Sequence, residues 1–375
     1  MKPLVRLGAA SPFGLALPSA QPTASQMYGP RGVWFDDDTL IVADSGNHRV
    51  LIWHGLPQED GAPADVVLGQ PDFTSEGPRD ASHGMHLPTG VLVVDGNLCV
   101  CDAWHHRVLV WKGIPHTSAT PPAYAIGQVT LDDAMPNRGG SVDATTLYWP
   151  YGIGSHAGMF WIADTGNRRV LGWRGLPRPL QPADVVLGQP AFTTNDENRG
   201  GNVSASSYRW PHAITGIGDT LYVADAGNHR VLGYTPVPQA DTPATLVIGQ
   251  PDFTSNGELP HRKQGAHRMR FPYGIASDGD LLAVGDTANN RVLFWPAAPT
   301  LGAGSLASAV IGQENFDAAG ENRWKAVGDD TLCWPYGLWM HGGRMAVADS
   351  GNNRVMLWAT ADITADLSAD LLTTS

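Results

Sequence analysis

One eight-residue segment, present six times, constrains this chain more than anything else in it. Ala43-Asp44-Ser45-Gly46-Asn47-His48-Arg49-Val50 returns as Cys101–Val108, Ala163–Val170, Ala224–Val231, Gly285–Val292 and Ala348–Val355. Its Asp falls at Asp44, Asp102, Asp164, Asp225, Asp286 and Asp349, and an Arg follows five residues later each time: Arg49, Arg107, Arg169, Arg230, Arg291 and Arg354. Successive arginines are 58, 62, 61, 61 and 63 residues apart. A fixed period of this kind means copies of one supersecondary unit that bury their apolar faces against each other.

Each unit reads as four short strands. The first follows a Pro, as in Tyr151-Gly152-Ile153. The second is an apolar run ending in the Asp, and the third runs from the Arg to an aromatic residue: Trp53, Trp111, Trp173, Tyr234, Trp295 or Trp358. The fourth is Val66–Gln70 and its echoes at Ala125–Gln128, Val185–Gln189, Leu246–Gln250 and Ala309–Gln313. Apolar, β-branched runs of this length bounded by Gly, Asp and Asn are strand signals. Gly and Pro, 44 and 29 of 375 residues, supply the turns such a chain needs. Four antiparallel strands repeated radially make a propeller. The expected fold is therefore all-β, a six-bladed β-propeller of four-stranded antiparallel blades. The sixth unit has no fourth strand of its own, and residues 4–9 (LVRLGA) match the missing one. The N-terminal strand is expected to complete the last blade and close the ring. This places one propeller domain over residues 1–358, with blades at about 28–73, 87–129, 149–192, 210–253, 271–316 and 334–358 plus strand 4–9, and a tail over 359–375.

Six units of the form [VA]-[AG]-D-x-G-N-x-R-V, each preceded by Pro-x-Gly or a close variant, resemble NHL repeats. The resemblance spans nearly the whole chain and implies a six-bladed propeller. The second unit departs most, with Trp104-His105-His106 in place of Gly-Asn-x. The units are also longer than ordinary NHL repeats, the surplus lying after each Gly-Gln.

Residues shared by all six units are expected to build blades, so the Asp and Arg are read as a pair bracketing a tight turn. The turn glycines Gly46, Gly166, Gly227 and Gly351 are read as positions needing positive φ. Function is sought where the units differ. The residue after each first-strand Pro should ring the mouth of the central channel: Arg31, Thr89, Tyr151, His212, Tyr273 and Tyr336. Such a ring is either a pocket with aromatic walls and a few polar handles or a packed plug. A second ring is the variable residue of each turn: His48, His106, Arg168, His229, Asn290 and Asn353. Its histidines, His48, His106 and His229, are candidate ligands for a single metal ion. The long inserts carry Arg138, Arg199, Arg323 and Trp324, candidates for gripping a partner.

The NHL resemblance implies an interaction platform, so the chain is expected to be a binding or scaffolding module, with a protein partner on the long-loop face or a small molecule at the channel mouth. The alternative is an enzyme of lyase or hydrolase type, with a Tyr/His/Arg or metal site there. The family includes a peptidylglycine amidating lyase whose zinc is held by His at the Pro-His position of three blades. Only Pro211-His212 matches that position here. Other NHL domains bind RNA through a positive face. This chain has net charge −12 and four lysines, Lys2, Lys112, Lys263 and Lys325, so nucleic acid, bound by neutralising phosphates, is not expected. A membrane is not expected either, as no apolar run of about 18 residues occurs. Cys99, Cys101 and Cys333 lack the spacing of a zinc site or a disulfide framework. Cys99 and Cys101 stand where the first unit has Ile41 and Ala43, and read as small buried side chains. At the N-terminus Lys2 and Arg6 precede small and apolar residues, as in a secretory signal, but Ser11-Pro12 breaks the stretch. A cytoplasmic location is expected.

Overall fold

The computed structural model describes residues 2–8, 21–258, 263–279, 281–296 and 302–363. Its strands form six four-stranded antiparallel sheets. Blade one is Gly32–Phe35, Thr39–Asp44, Arg49–His54 and Val66–Leu68, side by side in chain order. Blades two to six repeat this order from first strands Pro88–Val94, Pro150–His156, Pro211–Ile217, Pro272–Ser277 and Pro335–His341. Blade six takes its outer strand from the other end of the chain: Val5–Gly8 pairs with Arg354–Ala359, Val5 opposite Leu357 and Gly8 opposite Arg354. Each first strand also touches the first strands of both neighbouring blades, blade six to blade one included. The ring closes as expected. Residue 9 and residues 364–375 of the tail lie outside the described residues. Ile363 is buried against blades five and six. Among the described residues, no helix is long and apolar enough to cross a membrane.

The second and third strands are apolar on both faces because each blade is sandwiched between two others. Thr39–Asp44 and Met159–Asp164, for example, are buried at every position. The aromatic residue closing each third strand is core: Trp53, Trp111, Trp173, Tyr234, Trp295 and Trp358 are at most 3% exposed. Trp53, Trp111, Trp173 and Trp295 each donate their indole N–H to a loop carbonyl, which removes the cost of burying that donor. Cys99, Cys101 and Cys333 are free thiols buried in the blades, and burial pushes Cys99 and Cys333 up to about 12.

The Asp–Arg turn is the same device six times. In blade three Asp164 Oδ2 accepts from Arg169 Nε at 2.8 Å and from Asn167 Nδ2 at 2.8 Å, while Oδ1 accepts the Tyr148 N–H at 2.7 Å. The rest of the Arg169 guanidinium donates to the carbonyls of Phe192, Asp143 and Thr146. One buried ion pair thus ties a turn, the segment before the blade and the insert after it. In blade two His105 takes the place of the Asn, its Nδ1 2.8 Å from Asp102 Oδ2.

The turn glycines correct the sequence reading. Gly46, Gly166, Gly227 and Gly351 do not have positive φ; the left-handed residue is the variable one that follows two positions later in blades one, three, four and six, at φ near 55°. Gly46 is required by close approach instead, since a Cβ there would run into the Tyr28 backbone and ring.

Candidate binding site at the channel mouth

Mouth residues are aimed by a bulge. In blades two to six, the pairing of first and second strands slips just after the Pro, leaving Thr89, Tyr151, His212, Tyr273 and Tyr336 without a partner across the sheet. An unpaired extra residue re-aims its side chain, here over the axis. Gly32, Gly152, Gly274 and Gly337 follow the mouth residues Arg31, Tyr151, Tyr273 and Tyr336, and an added Cβ there would lie under 3.0 Å from the next blade's mouth carbonyl. Their lack of a side chain lets the innermost strands converge.

The six predicted mouth residues all meet around one cavity, and their side chains interlock. Tyr273 stacks on Tyr336 (ring centroids 4.8 Å apart, 16° between planes), His212 lies 4.3 Å from Tyr273, and Tyr151 lies 4.6 Å from His212. The Arg31 guanidinium sits 4.8 Å over the Tyr336 ring and donates to Tyr151 Oη at 3.0 Å, which completes the circle. Thr89 Oγ1 donates to the Tyr151 carbonyl at 2.8 Å. The cavity they enclose on the axis is about 80 Å³, well below the few hundred Å³ of an ordinary ligand pocket. Burial, followed by the neighbouring phenols Tyr336 and Tyr151, raises Tyr273. Burial also lowers His212 to about 4, with the Arg31 charge adding to the shift and the bond to the Trp210 carbonyl opposing it. The imidazole is therefore neutral at pH 7.

The second ring joins the blades. His48 Nδ1 accepts the N–H of Leu87 (3.0 Å), His106 Nδ1 that of Trp149 (3.3 Å) and His229 Nδ1 that of Phe271 (3.2 Å). Asn290 Oδ1 likewise accepts from Trp334 and Asn353 Oδ1 from Gly29, both at 2.9 Å. In every case the donor precedes the Pro of the next blade. His48, His106 and His229 each stand at a different joint, with the Nδ1 lone pair held by a backbone donor. Among the described residues no group of three or more His, Cys, Asp or Glu is placed to hold a metal ion.

Accepting through Nδ1 requires neutral imidazoles. Burial lowers both His48 and His106 from 6.5 to about 4. Between those values the unfolded chain takes up protons that the folded chain refuses, so the contribution of these groups is full above 6.5 and lost as pH falls to about 4. We expect the urea midpoint to fall over this window, and to fall less in a His48→Asn/His106→Asn variant, which places at both joints the acceptor already used at Asn290 and Asn353. An unchanged pH slope in that variant would contradict the assignment.

The insert arginines are tied down by carboxylates, two within their own loops and Arg199 across to the next blade. Arg138 bonds Asp143 and Thr145, Arg199 bonds Asp241 and the Ser206 carbonyl, and Arg323 bonds Asp330. Their neighbours Asn137, Asn198 and Asn322 pair with the turn residues Asn167, Asn228 and Asn352 at 2.9–3.0 Å, clamping each insert to the following blade. Trp324, by contrast, is 82% exposed.

One joint is built differently. Arg168 has no acceptor to offer, and Trp210, alone among the residues preceding these prolines in blades two to six, is outside the positive-φ set. Its N–H turns to Asp225 Oδ1 at 3.4 Å. A second cavity of about 230 Å³ lies at this joint, lined by Tyr148, Trp149, Arg168 and Trp210 and sharing Tyr151, His212 and Tyr273 with the axial ring. Trp149 and Trp210 were missed as site residues in the sequence. The available signal was Arg168 itself, the one member of its ring that cannot accept a hydrogen bond.

An NHL-repeat family model matches residues 27–53. The chain is thus a six-bladed β-propeller whose first unit matches the NHL repeat, and the same Asp–Arg turn recurs in all six blades. No curated protein matches it. Among solved structures it is similar to virginiamycin B lyase from Staphylococcus aureus, at 12% identity over 90% of this chain and 97% of that one, with a TM-score of 0.47. It is also similar to hydrazine synthase of Kuenenia stuttgartiensis (14% identity, 94% of this chain and 99% of that one, TM-score 0.49). A third likeness is to Raptor of Chaetomium thermophilum (12% identity, 92% of this chain, 28% of that one, TM-score 0.47).

Proposed function

We propose that this protein is a binding propeller that receives a protein partner on the face carrying the Asp–Arg turns and the channel mouth. The observation that carries the reading is where large apolar side chains are left in water. Nine are exposed among the described residues, and six of them (Tyr28, Trp104, Val129, Met135, Trp324 and Trp334) belong to the turns, the segments before the prolines and the inserts, all at this one end of the blades. Clustered apolar exposure marks interaction surfaces, and Trp and Tyr are the residues that dominate binding energy in them. The enzyme reading calls for an acid or base titrating near neutral pH. At the mouth, His212 is held about 4 and Tyr273 above its ordinary range, so both are shifted away from it.

Photo-crosslinking groups placed at Trp104, Trp324 and Met135, and at Leu180 and Leu306 on the opposite face, test the proposal in cells. The expected result is one protein captured from all three turn-face positions, absent from the opposite face, and lost when Trp334 is replaced by Ser. Equal capture from both faces, or none from either, would overturn it.

A further inference from the structure

The joint between blades three and four has the makings of a specific anion site. Several arginines among the described residues have a carboxylate within reach: Arg209 lies 3.1 Å from Glu197, Arg270 2.7 Å from Glu258, and Arg138, Arg199 and Arg323 pair with Asp143, Asp241 and Asp330. Arg168 has none among the described residues. Its Nη1 is fixed by the carbonyls of Gly166 (3.1 Å) and Asn195 (3.2 Å), which hold the guanidinium at the cavity wall. Its Nε is buried with no hydrogen-bond partner. A buried donor left unpaired costs stability, and a guanidinium offers just the planar fork that a carboxylate accepts from.

The rest of the lining selects among anions. Trp149 leans on Trp104 and Tyr148, while Trp210 stacks on Phe271 and carries the Arg209 guanidinium 4.9 Å over its ring; both indoles line the cavity. His212, its Nδ1 bonded to the Trp210 carbonyl at 3.0 Å and neutral at pH 7, adds a polar group without charge. Arg31 approaches from the axial side through Tyr151 and likewise has no carboxylate partner among the described residues. One cation at the wall, a second behind it and no acidic side chain in the lining suit a monoanion; a cation finds no counter-charge. Aromatic walls around about 230 Å³ suit a flat apolar body attached to it.

We propose that this cavity binds a small organic acid, its carboxylate on Arg168 and its planar body between Trp149 and Trp210. The proposal rests on the binding reading and deepens it, giving the same face a small-molecule specificity. The departure from the other five joints follows: a His or Asn at position 168 would accept the Trp210 N–H and close the joint, whereas Arg leaves it open.

The test is calorimetric titration of the full chain with benzoate, 4-hydroxybenzoate and indole-3-carboxylate, each beside its uncharged primary amide. At least one acid is expected to bind, its amide at least about tenfold more weakly, as loss of a charge-assisted hydrogen bond predicts. Arg168→Asn is the decisive variant, because Asn290 and Asn353 already occupy that position in the same left-handed conformation. It should keep or raise the melting temperature and lose acid binding by at least about tenfold. Arg168→Lys, which keeps the charge and loses the fork, should fall between. Amides binding as well as acids, full binding by folded Arg168→Asn, or no acid bound at ~10 mM would overturn the proposal. Turn-face crosslinking in the Arg168→Asn chain separates the two readings: capture that persists while acid binding is lost leaves the protein partner standing, and acid binding without capture leaves the cavity standing.

Discussion

Deletion of residues 2–8 will lower the melting temperature by on the order of 5 °C or more and expose an unpaired strand edge on blade six. Val5 and Leu7 are 4% and 1% exposed and pack into the core between blades six and one. Burying two such side chains stabilises by roughly 3–6 kcal/mol. The backbone of Arg354–Leu357 loses its partners on the outer edge as well. Arg6, whose guanidinium reaches Asp60 at 2.6 Å and Asp329 at 2.7 Å, adds little, because all three side chains are more than a third exposed and water screens them. Truncated protein should also associate, since an open strand edge templates pairing. Calorimetry checks the melt, and a synthetic peptide of residues 2–8 supplied in trans should restore part of it. An unchanged melting temperature would mean that the ring does not depend on this closure.

Arg169→Met will cost about 3–5 kcal/mol, the loss expected when one member of a buried pair is removed. Arg169 and Asp164 are both 0% exposed. The substitution strands the Asp164 carboxylate with only Asn167 and the Tyr148 N–H, and orphans the carbonyls of Phe192, Asp143 and Thr146. Arg174→Met is the matched control: that side chain is 69% exposed and lies 3.7 Å from Asp184, so its loss should stay within ~1 kcal/mol. Urea midpoints at constant slope measure both. If the two variants unfold alike, the turn pair is not what holds the blades to their inserts.

Blade architecture was legible because its determinants are local and repeated. Asp, Asn and Arg at fixed spacing meet within one turn, so six copies of the spacing announce six copies of the contact. The Trp53 and Trp173 positions were legible for a similar reason, since a large apolar residue ending a buried strand has nowhere else to go. The ring Arg31, Thr89, Tyr151, His212, Tyr273 and Tyr336 could be named from its place after each Pro. Whether it opened or packed could not, because that depends on Arg31 spanning from blade one to Tyr151 of blade three and Tyr336 of blade six.

The amino-acid sequence by itself determined the number of blades, the strand order within each and the borrowed strand that closes the ring, all consequences of period and hydrophobic pattern along the chain. Only the tertiary structure decided what the differences between units do. His48 and Leu87 are 39 residues apart, and Arg168 and Trp210 belong to separate blades; whether a side chain at such a joint accepts a backbone proton or faces a cavity is set by the approach of two blades. That approach is governed in turn by glycines such as Gly32 and Gly152, whose missing Cβ atoms let neighbouring inner strands come together.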